Sequence, residues 1–171
     1  MIILMAGLPG TGKSTLAREL AAHTAGRVLS KDEIRHVIFQ PAEIEYSMRQ
    51  DDFCLQVMLE TTGYLLGQNS KRIIFLDGRP FSRRYQIENV LSAAASMNQP
   101  WHILECVCSD ETARHRLATD AETIAHPAGN RGYELYLEVK SRFEVIKHAK
   151  AVIDTEKDLE TCVRQALAAL R

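Results

Sequence analysis

The 171-residue sequence has no excess charge of either sign, no long apolar run and no paired-cysteine motif, and each absence excludes a class of function. Its Lys and Arg number 21 against 22 Asp and Glu, a formal net charge of −1. A chain so balanced has no general attraction for nucleic acid or anionic membrane, although a local basic cleft remains open to it. No apolar run approaches the ~20 residues that a membrane span needs. The four cysteines, Cys54, Cys106, Cys108 and Cys162, contain no C-x-x-C pair. They read as buried free thiols of a cytosolic protein rather than as a zinc site. His102, His115, His126 and His148 lack metal-ligand spacing. There is no internal repeat and no low-complexity tract. A Gly-rich motif that begins at residue 7 leaves no room for a signal peptide, so the cytoplasm is the expected compartment. The length suits one domain with a sizeable core, residues 1–171.

That Gly-rich motif is the most informative feature present. Residues 7–14 read Gly-Leu-Pro-Gly-Thr-Gly-Lys-Ser, a complete G-x-x-x-x-G-K-S phosphate loop. Average composition makes a chance match at four fixed positions rare. The apolar run Ile2–Ala6 before it reads as a buried strand, and Ser14–His23 after it places Leu16, Ala17 and Leu20 on one helical face. Strand, loop and helix together are the context in which this motif works. Gly7, Gly10 and Gly12 let the backbone curl so that successive N–H groups point at an anion. The helix that opens near Lys13 adds its positive end. Lys13 is expected to reach the β- and γ-phosphates of ATP and Ser14 to ligate Mg²⁺. The nucleotide-binding set is therefore Gly7, Leu8, Pro9, Gly10, Thr11, Gly12, Lys13, Ser14 and Thr15.

Beyond the loop, strands and helices alternate. Strands are expected at 27–30, 72–76, 101–107 and 151–154. Helices are expected over 32–39, 45–68, 82–97, from 109 or 110 through 117, over 133–148 and over 156–170. Such alternation implies a parallel sheet covered on both faces, an α/β fold. Residues 119–132 lack periodicity and contain Pro127, Gly129 and Gly132. With Arg114, Arg116 and Arg131 around it, this stretch (about 114–132) is expected to form a lid.

Ligands of such sheets bind at the carboxyl ends of the strands. The first strand leads into the phosphate loop. The second leads into Ser30-Lys31-Asp32-Glu33-Ile34-Arg35. The third leads into Asp77-Gly78-Arg79. If Asp32 opens a helix, Arg35 lies beside it on one face. A carboxylate to accept a hydroxyl proton and a guanidinium to hold negative charge suit transfer to an alcohol. The plainer reading makes Asp32 a helix N-cap. Asp77 ends an apolar strand, as a magnesium-binding carboxylate would, or simply closes its own turn. One of Arg79, Arg83 and Arg84 is expected to face the acceptor, within a pocket built from residues 40–68 and the turns after strands two and three.

The phosphate loop, Ser-Lys-Asp-Glu-Ile-Arg at 30–35, Phe-Leu-Asp-Gly at 75–78 and Asp110-Glu-Thr-Ala-Arg-His-Arg116 together resemble the AAA-type P-loop kinases, a group related to polynucleotide 5′-hydroxyl kinases and zeta-toxin kinases. The resemblance spans nearly the whole chain. It implies an adenylate-kinase-like three-layer α/β/α fold with five parallel strands in the order 2-3-1-4-5. It implies Asp32 as general base, Arg35 as a substrate-side contact and Arg116 on a lid helix near the phosphates. The sequence departs from the polynucleotide kinases at one point. Four residues after Arg116 it carries Asp120, where those enzymes carry a second arginine, and Arg131 is the substitute at hand. The expected activity is an ATP-dependent phosphotransferase with Mg²⁺, acting on a hydroxyl of a small-molecule or nucleotide-containing acceptor. A nucleic-acid end is less favoured, since a basic tract is missing. A non-catalytic nucleotide switch would have no use for Asp32 beside Arg35. A nucleoside-monophosphate acceptor is already ionised and would need no base.

Overall fold

A computed structural model gives the fold; it describes residues 1–122 and 132–170, the side chains of 121 and 122 apart. Strands β1 (Ile2–Ala6), β2 (Arg27–Ser30), β3 (Ile74–Asp77), β4 (Trp101–Val107) and β5 (Ala151–Asp154) form one sheet in the order β2-β3-β1-β4-β5. All four pairings are parallel. The helices are α1 (Lys13–Thr24), α2 (Lys31–Ile38), α3 (Met48–Gln68), α4 (Arg84–Ser96), α5 (Asp110–Glu122), α6 (Tyr133–Ser141) and α7 (Leu159–Ala169). This is the expected P-loop kinase architecture, with the expected strand order.

The apolar run of β1 explains its central place. Every residue of it is buried. Because side chains alternate along a strand, Ile2, Leu4 and Ala6 enter one core and Ile3 and Met5 the other. The first core is closed by Leu55, Met58 and Leu66 of α3 and by Ile87, Val90 and Ala94 of α4. The second is closed by Leu16, Ala17 and Leu20 of α1 and by Cys162, Val163 and Ala166 of α7. A third, small cluster joins Ala113 and Leu117 of α5 to Tyr136 of α6, with Leu8 of the phosphate loop against it. That cluster sets α5 beside the loop.

Several boundaries differ from expectation, for local reasons. Helix α3 begins at Met48, three residues late, because Ser47 caps it by accepting the Gln50 N–H at 3.2 Å. Helix α2 begins at Lys31, directly on the end of β2, because the cap is Ser30. Helix α5 runs past Leu117 to Glu122, so four residues of the expected irregular stretch, 119–122, are helical. Helix α6 stops at Ser141 instead of 148. There Phe143 and Ile146 turn into the first core, and the Glu144 N–H donates to Ser82 O at 2.9 Å rather than continuing the helix. Helix α7 begins at Leu159, capped by Asp158. Residues 123–131 of the expected lid, Arg131 among them, lie outside the described residues. Among the described residues no helix is long and apolar enough to cross a membrane.

Candidate active site

The phosphate loop bridges β1 and α1 and is seated against the end of β4. Gly7 has φ 130°, and a Cβ placed there would lie 2.3 Å from the Cys106 carbonyl oxygen, so only glycine allows this approach. Within the loop, Thr11 Oγ1 donates to Leu8 O at 2.7 Å and Lys13 Nζ donates to the same oxygen at 2.6 Å. The Lys13 ammonium is thus folded onto the loop that it would share with a phosphate. Gly12 precedes α1 and supplies no side-chain cap to its first amides. A cradle of amides at a helix N-terminus is suited to an anion.

Two clefts meet at this loop, and Ser14 lines both. One is bounded by Gly10, Gly12, Thr15, Arg116 and Thr155. Here Arg116 Nη2 donates to Thr155 O at 2.7 Å and Nη1 to Thr155 Oγ1 at 3.0 Å. The Thr155 hydroxyl also lies 3.0 Å from Thr11 O. Thr155, at the end of β5, therefore ties the Arg116 guanidinium to the phosphate loop.

The other cleft holds Lys13, Asp32, Arg35, Asp51 and Arg79. Asp32 and Arg35 lie on one face of α2, joined by Arg35 Nη1 to Asp32 Oδ1 at 2.9 Å. Asp51, from the first turn of α3, accepts from Lys31 Nζ at 2.8 Å and from Arg35 Nη2. Lys31 Nζ is also 3.3 Å from Asp32 Oδ1. Two carboxylates and two cations thus close a charge-matched group, with Arg35 only 1% exposed and its guanidinium 5.1 Å from the centre of the Tyr46 ring. Asp32 is not the helix cap. Ser30 takes that role, accepting the Glu33 N–H at 3.4 Å, which leaves the Asp32 carboxylate to the cleft.

Gly78 positions this helix. It has φ 85°, and a Cβ there would come within 3.0 Å of Lys31 N and 3.2 Å of Asp32 N. The start of α2 therefore rests directly on the turn after β3. Asp77, on the neighbouring strand and in register with Ser30, is 3% exposed. Its Oδ1 has no hydrogen-bond partner among the described residues. A buried carboxylate oxygen left unpaired is costly, and a hydrated cation at the phosphate loop would satisfy it. Asp77 and Ser14 thus fit the donor set that magnesium prefers, one or two protein oxygens with phosphates and water.

Other groups stand apart from this chemistry. Burial pushes the Cys106 thiol up to about 12 and also raises Cys108, where Arg116 opposes the effect. Neither is a ready thiolate. No cluster of three His, Cys, Asp or Glu suited to a metal occurs among the described residues.

Residues 2–130 match the family model of an AAA domain. The chain belongs to this AAA domain family. No curated protein matches it. The AAA domain does resemble solved structures along its whole length. A candidate kinase from Chloroflexus aurantiacus shares 20% identity at a TM-score of 0.76, covering 99% of this chain and 98% of that one. The APS kinase CysC of Mycobacterium tuberculosis, in complex with AMPPNP and APS, shares 14% at 0.73, covering 99% and 96%. A gluconokinase from Sinorhizobium meliloti shares 16% at 0.70, covering 99% and 90%. At such identities the likeness establishes the P-loop kinase fold and no more.

The residues expected to act together are distributed in this AAA domain as follows. Lys13, Ser14, Asp32 and Arg35 share one cleft. Arg116 lies on the other side of the loop, beside Thr15. Of the three arginines after β3, Arg79 and Arg83 both line the cleft of Asp32 and Arg35, whereas Arg84 is exposed and pairs with Glu88 at 2.5 Å. The sequence reading missed Lys31, Asp51 and Thr155. Asp51 lies within the 40–68 segment assigned to the acceptor pocket, but only the packing of α3 on α2 singles it out.

Proposed function

We propose that this AAA domain is an ATP-dependent kinase that moves the γ-phosphoryl group of ATP to a hydroxyl of a small-molecule or nucleotide-containing acceptor. One observation carries the reading: Lys13 and Ser14 of the phosphate loop line the same cleft as Asp32 and Arg35. A site for the donor phosphates and a paired base and cation for an alcohol thus share one space. The kinase neighbours, one of them holding AMPPNP, support it.

In this reading residues 7–15 hold the phosphates, with Lys13 on the β- and γ-groups. Ser14 and Asp77 would hold magnesium, which would neutralise phosphate charge. Asp32 takes the hydroxyl proton as the acceptor oxygen bonds to the γ-phosphorus and the bond to the β–γ bridging oxygen breaks. Arg35 holds Asp32 in place and faces the acceptor. Arg116, fixed by Thr155, stabilises charge from the opposite side. Arg131 is a second candidate for that task. The compartment is the cytoplasm, and residues 1–171 act as one domain. The balanced net charge supports a small acceptor over a nucleic-acid end.

Asp32→Asn tests the assignment. Asn keeps the shape and removes the base, and the cap at Ser30 is untouched. Base catalysis is typically worth 10²–10⁴-fold, so turnover should fall by about a hundredfold or more while Mg·ATP affinity is retained. A folded Asp32→Asn protein that transfers phosphate near the parent rate would remove Asp32 from the mechanism.

A further inference from the structure

Once Lys31 and Arg35 are matched to Asp32 and Asp51, and Lys13 is assigned to the nucleotide, three cations of the acceptor cleft remain: Arg79, Arg83 and Arg142. Arg79 is the most telling. It is 1% exposed, yet its Nε and Nη1 have no hydrogen-bond partner among the described residues. Only Nη2 is engaged, at 2.6 Å from Asp52 Oδ1 and 3.4 Å from the Tyr85 hydroxyl. Arg142, whose side chain is 31% exposed, leaves Nε unpartnered, with Nη1 3.2 Å from Glu138 Oε1 and 4.0 Å from Met48 Sδ. Arg83 Nη1 lies 3.1 Å from Glu144 Oε1.

The carboxylates that hold these three are all exposed at the rim: Asp52 at 43%, Glu144 at 47% and Glu138 at 61% of the side chain. Solvent screens the carboxylate side of each pair, and a ligand anion that takes its place leaves the buried Arg79 charge matched. A buried guanidinium with idle donors is unfavourable unless something accepts from it. A neutral alcohol oxygen can accept from one of these donors but brings no charge to match the guanidinium. An oxyanion would satisfy them, because the guanidinium fork matches a carboxylate or a phosphate.

We propose, on the basis of the kinase reading above, that the acceptor of phosphate carries an anionic group of its own, a carboxylate or a phosphate ester, received by Arg79 with Arg83 and Arg142. The hydroxyl to be phosphorylated then lies toward Asp32 and the fixed negative end away from it, so that charge selects and orients the acceptor.

The test is binding of inorganic phosphate and, separately, of acetate to protein saturated with Mg·AMPPNP, so that the phosphate loop is already filled. The expected result is saturable binding of at least one anion. Tighter phosphate assigns the ester class, and tighter acetate the carboxylate class. Arg79→Gln should weaken binding by about tenfold or more, the loss expected for a hydrogen-bonded charge. Asp52→Asn should tighten it about two- to fivefold by freeing Arg79 from its rim partner. If Arg79→Gln fails to fold by circular dichroism, Asp52→Asn and Arg83→Gln carry the test, in opposite directions. Absence of binding to the AMPPNP-saturated protein, or affinity unchanged in the folded variants, overturns the proposal. If AMPPNP itself does not bind, the kinase reading fails and the anionic-acceptor proposal falls with it.

Discussion

Replacing Gly78 by alanine should separate the fold from the chemistry. The added methyl meets two obstacles. The backbone at residue 78 has φ 85°, a conformation that non-glycine residues occupy at a penalty of ~1–2 kcal/mol. The methyl would also press on Lys31 N at 3.0 Å, Lys31 Cβ at 3.1 Å and Asp32 N at 3.2 Å. Overpacking of that kind typically costs ~1–3 kcal/mol. The two add to roughly 2–5 kcal/mol if nothing moves. For a chain of this size that lowers the melting temperature by roughly 4–20 °C, at ~2–4 °C per kcal/mol. Part of the strain can be relieved if α2 shifts by a few tenths of an ångström, which carries Asp32 with it. Misplacement of a reacting group by ~1 Å can lower turnover ~10²-fold. The expected outcome is therefore a lower melting temperature together with a loss of turnover, while nucleotide affinity is kept, because the atoms nearest the added methyl belong to Lys31 and Asp32. Thermal denaturation, calorimetric titration of Mg·AMPPNP and a phosphotransfer assay measure the three. Gly67→Ala is the control. It lies in α3, and a Cβ there meets nothing within 4 Å, so it should stabilise the helix by ~0.5–1 kcal/mol and leave turnover alone. A Gly78→Ala protein with unchanged melting temperature and turnover would refute the claim that this turn seats Asp32.

Two further outcomes are expected. Lys13→Ala should weaken Mg·ATP binding by at least about tenfold, the loss of a charged hydrogen-bonding group, in a protein that remains folded, since Thr11 still donates to Leu8 O; nucleotide titration checks it. Asp110 is held below the usual carboxylate range by its bonds to Lys140 and Tyr136, and Glu156 by its bonds to Ser109 and Thr112. A carboxylate depressed in the folded state stabilises the fold above its unfolded value, and that stability fades as pH falls through the folded value. The links of α5 to α6 and to the segment after β5 should therefore hold at neutral pH and weaken below about pH 4, near the unfolded values of 3.8 and 4.5. Melting temperature against pH, with Asp110→Asn showing a shallower acid limb, checks it.

The parts of this molecule that a reader of the sequence can see are those fixed by local rules. The Ile2–Ala6 run is apolar on both faces because β1 is covered on both faces, and the glycines that follow are demanded by the loop itself. The α2 pair is visible because three residues make one helical face. What local rules cannot show is pairing across the fold. Asp51 reaches Lys31 across 20 positions, through the packing of α3 on α2. Thr155 reaches Thr11 across 144 positions, through the sheet order. The end of α6 at Ser141 likewise depends on a distant acceptor, Ser82 O. Choosing among Arg79, Arg83 and Arg84 needs the backbone after β3, where Gly78 and Phe81 both take positive φ and turn Arg79 into the cleft wall.

The most direct measurement of the central claim is a transfer assay. The protein is incubated with Mg·ATP labelled at the γ-phosphate and, in parallel, with nucleosides, sugars, aminoglycosides, sugar acids, phosphorylated alcohols and 5′-hydroxyl oligonucleotides. The account predicts labelled product from at least one small hydroxyl compound, with ADP formed in equal amount above the hydrolysis background and with both lost in Asp32→Asn. ATP consumed only as free phosphate with every acceptor, at a rate that Asp32→Asn leaves unchanged, would contradict it.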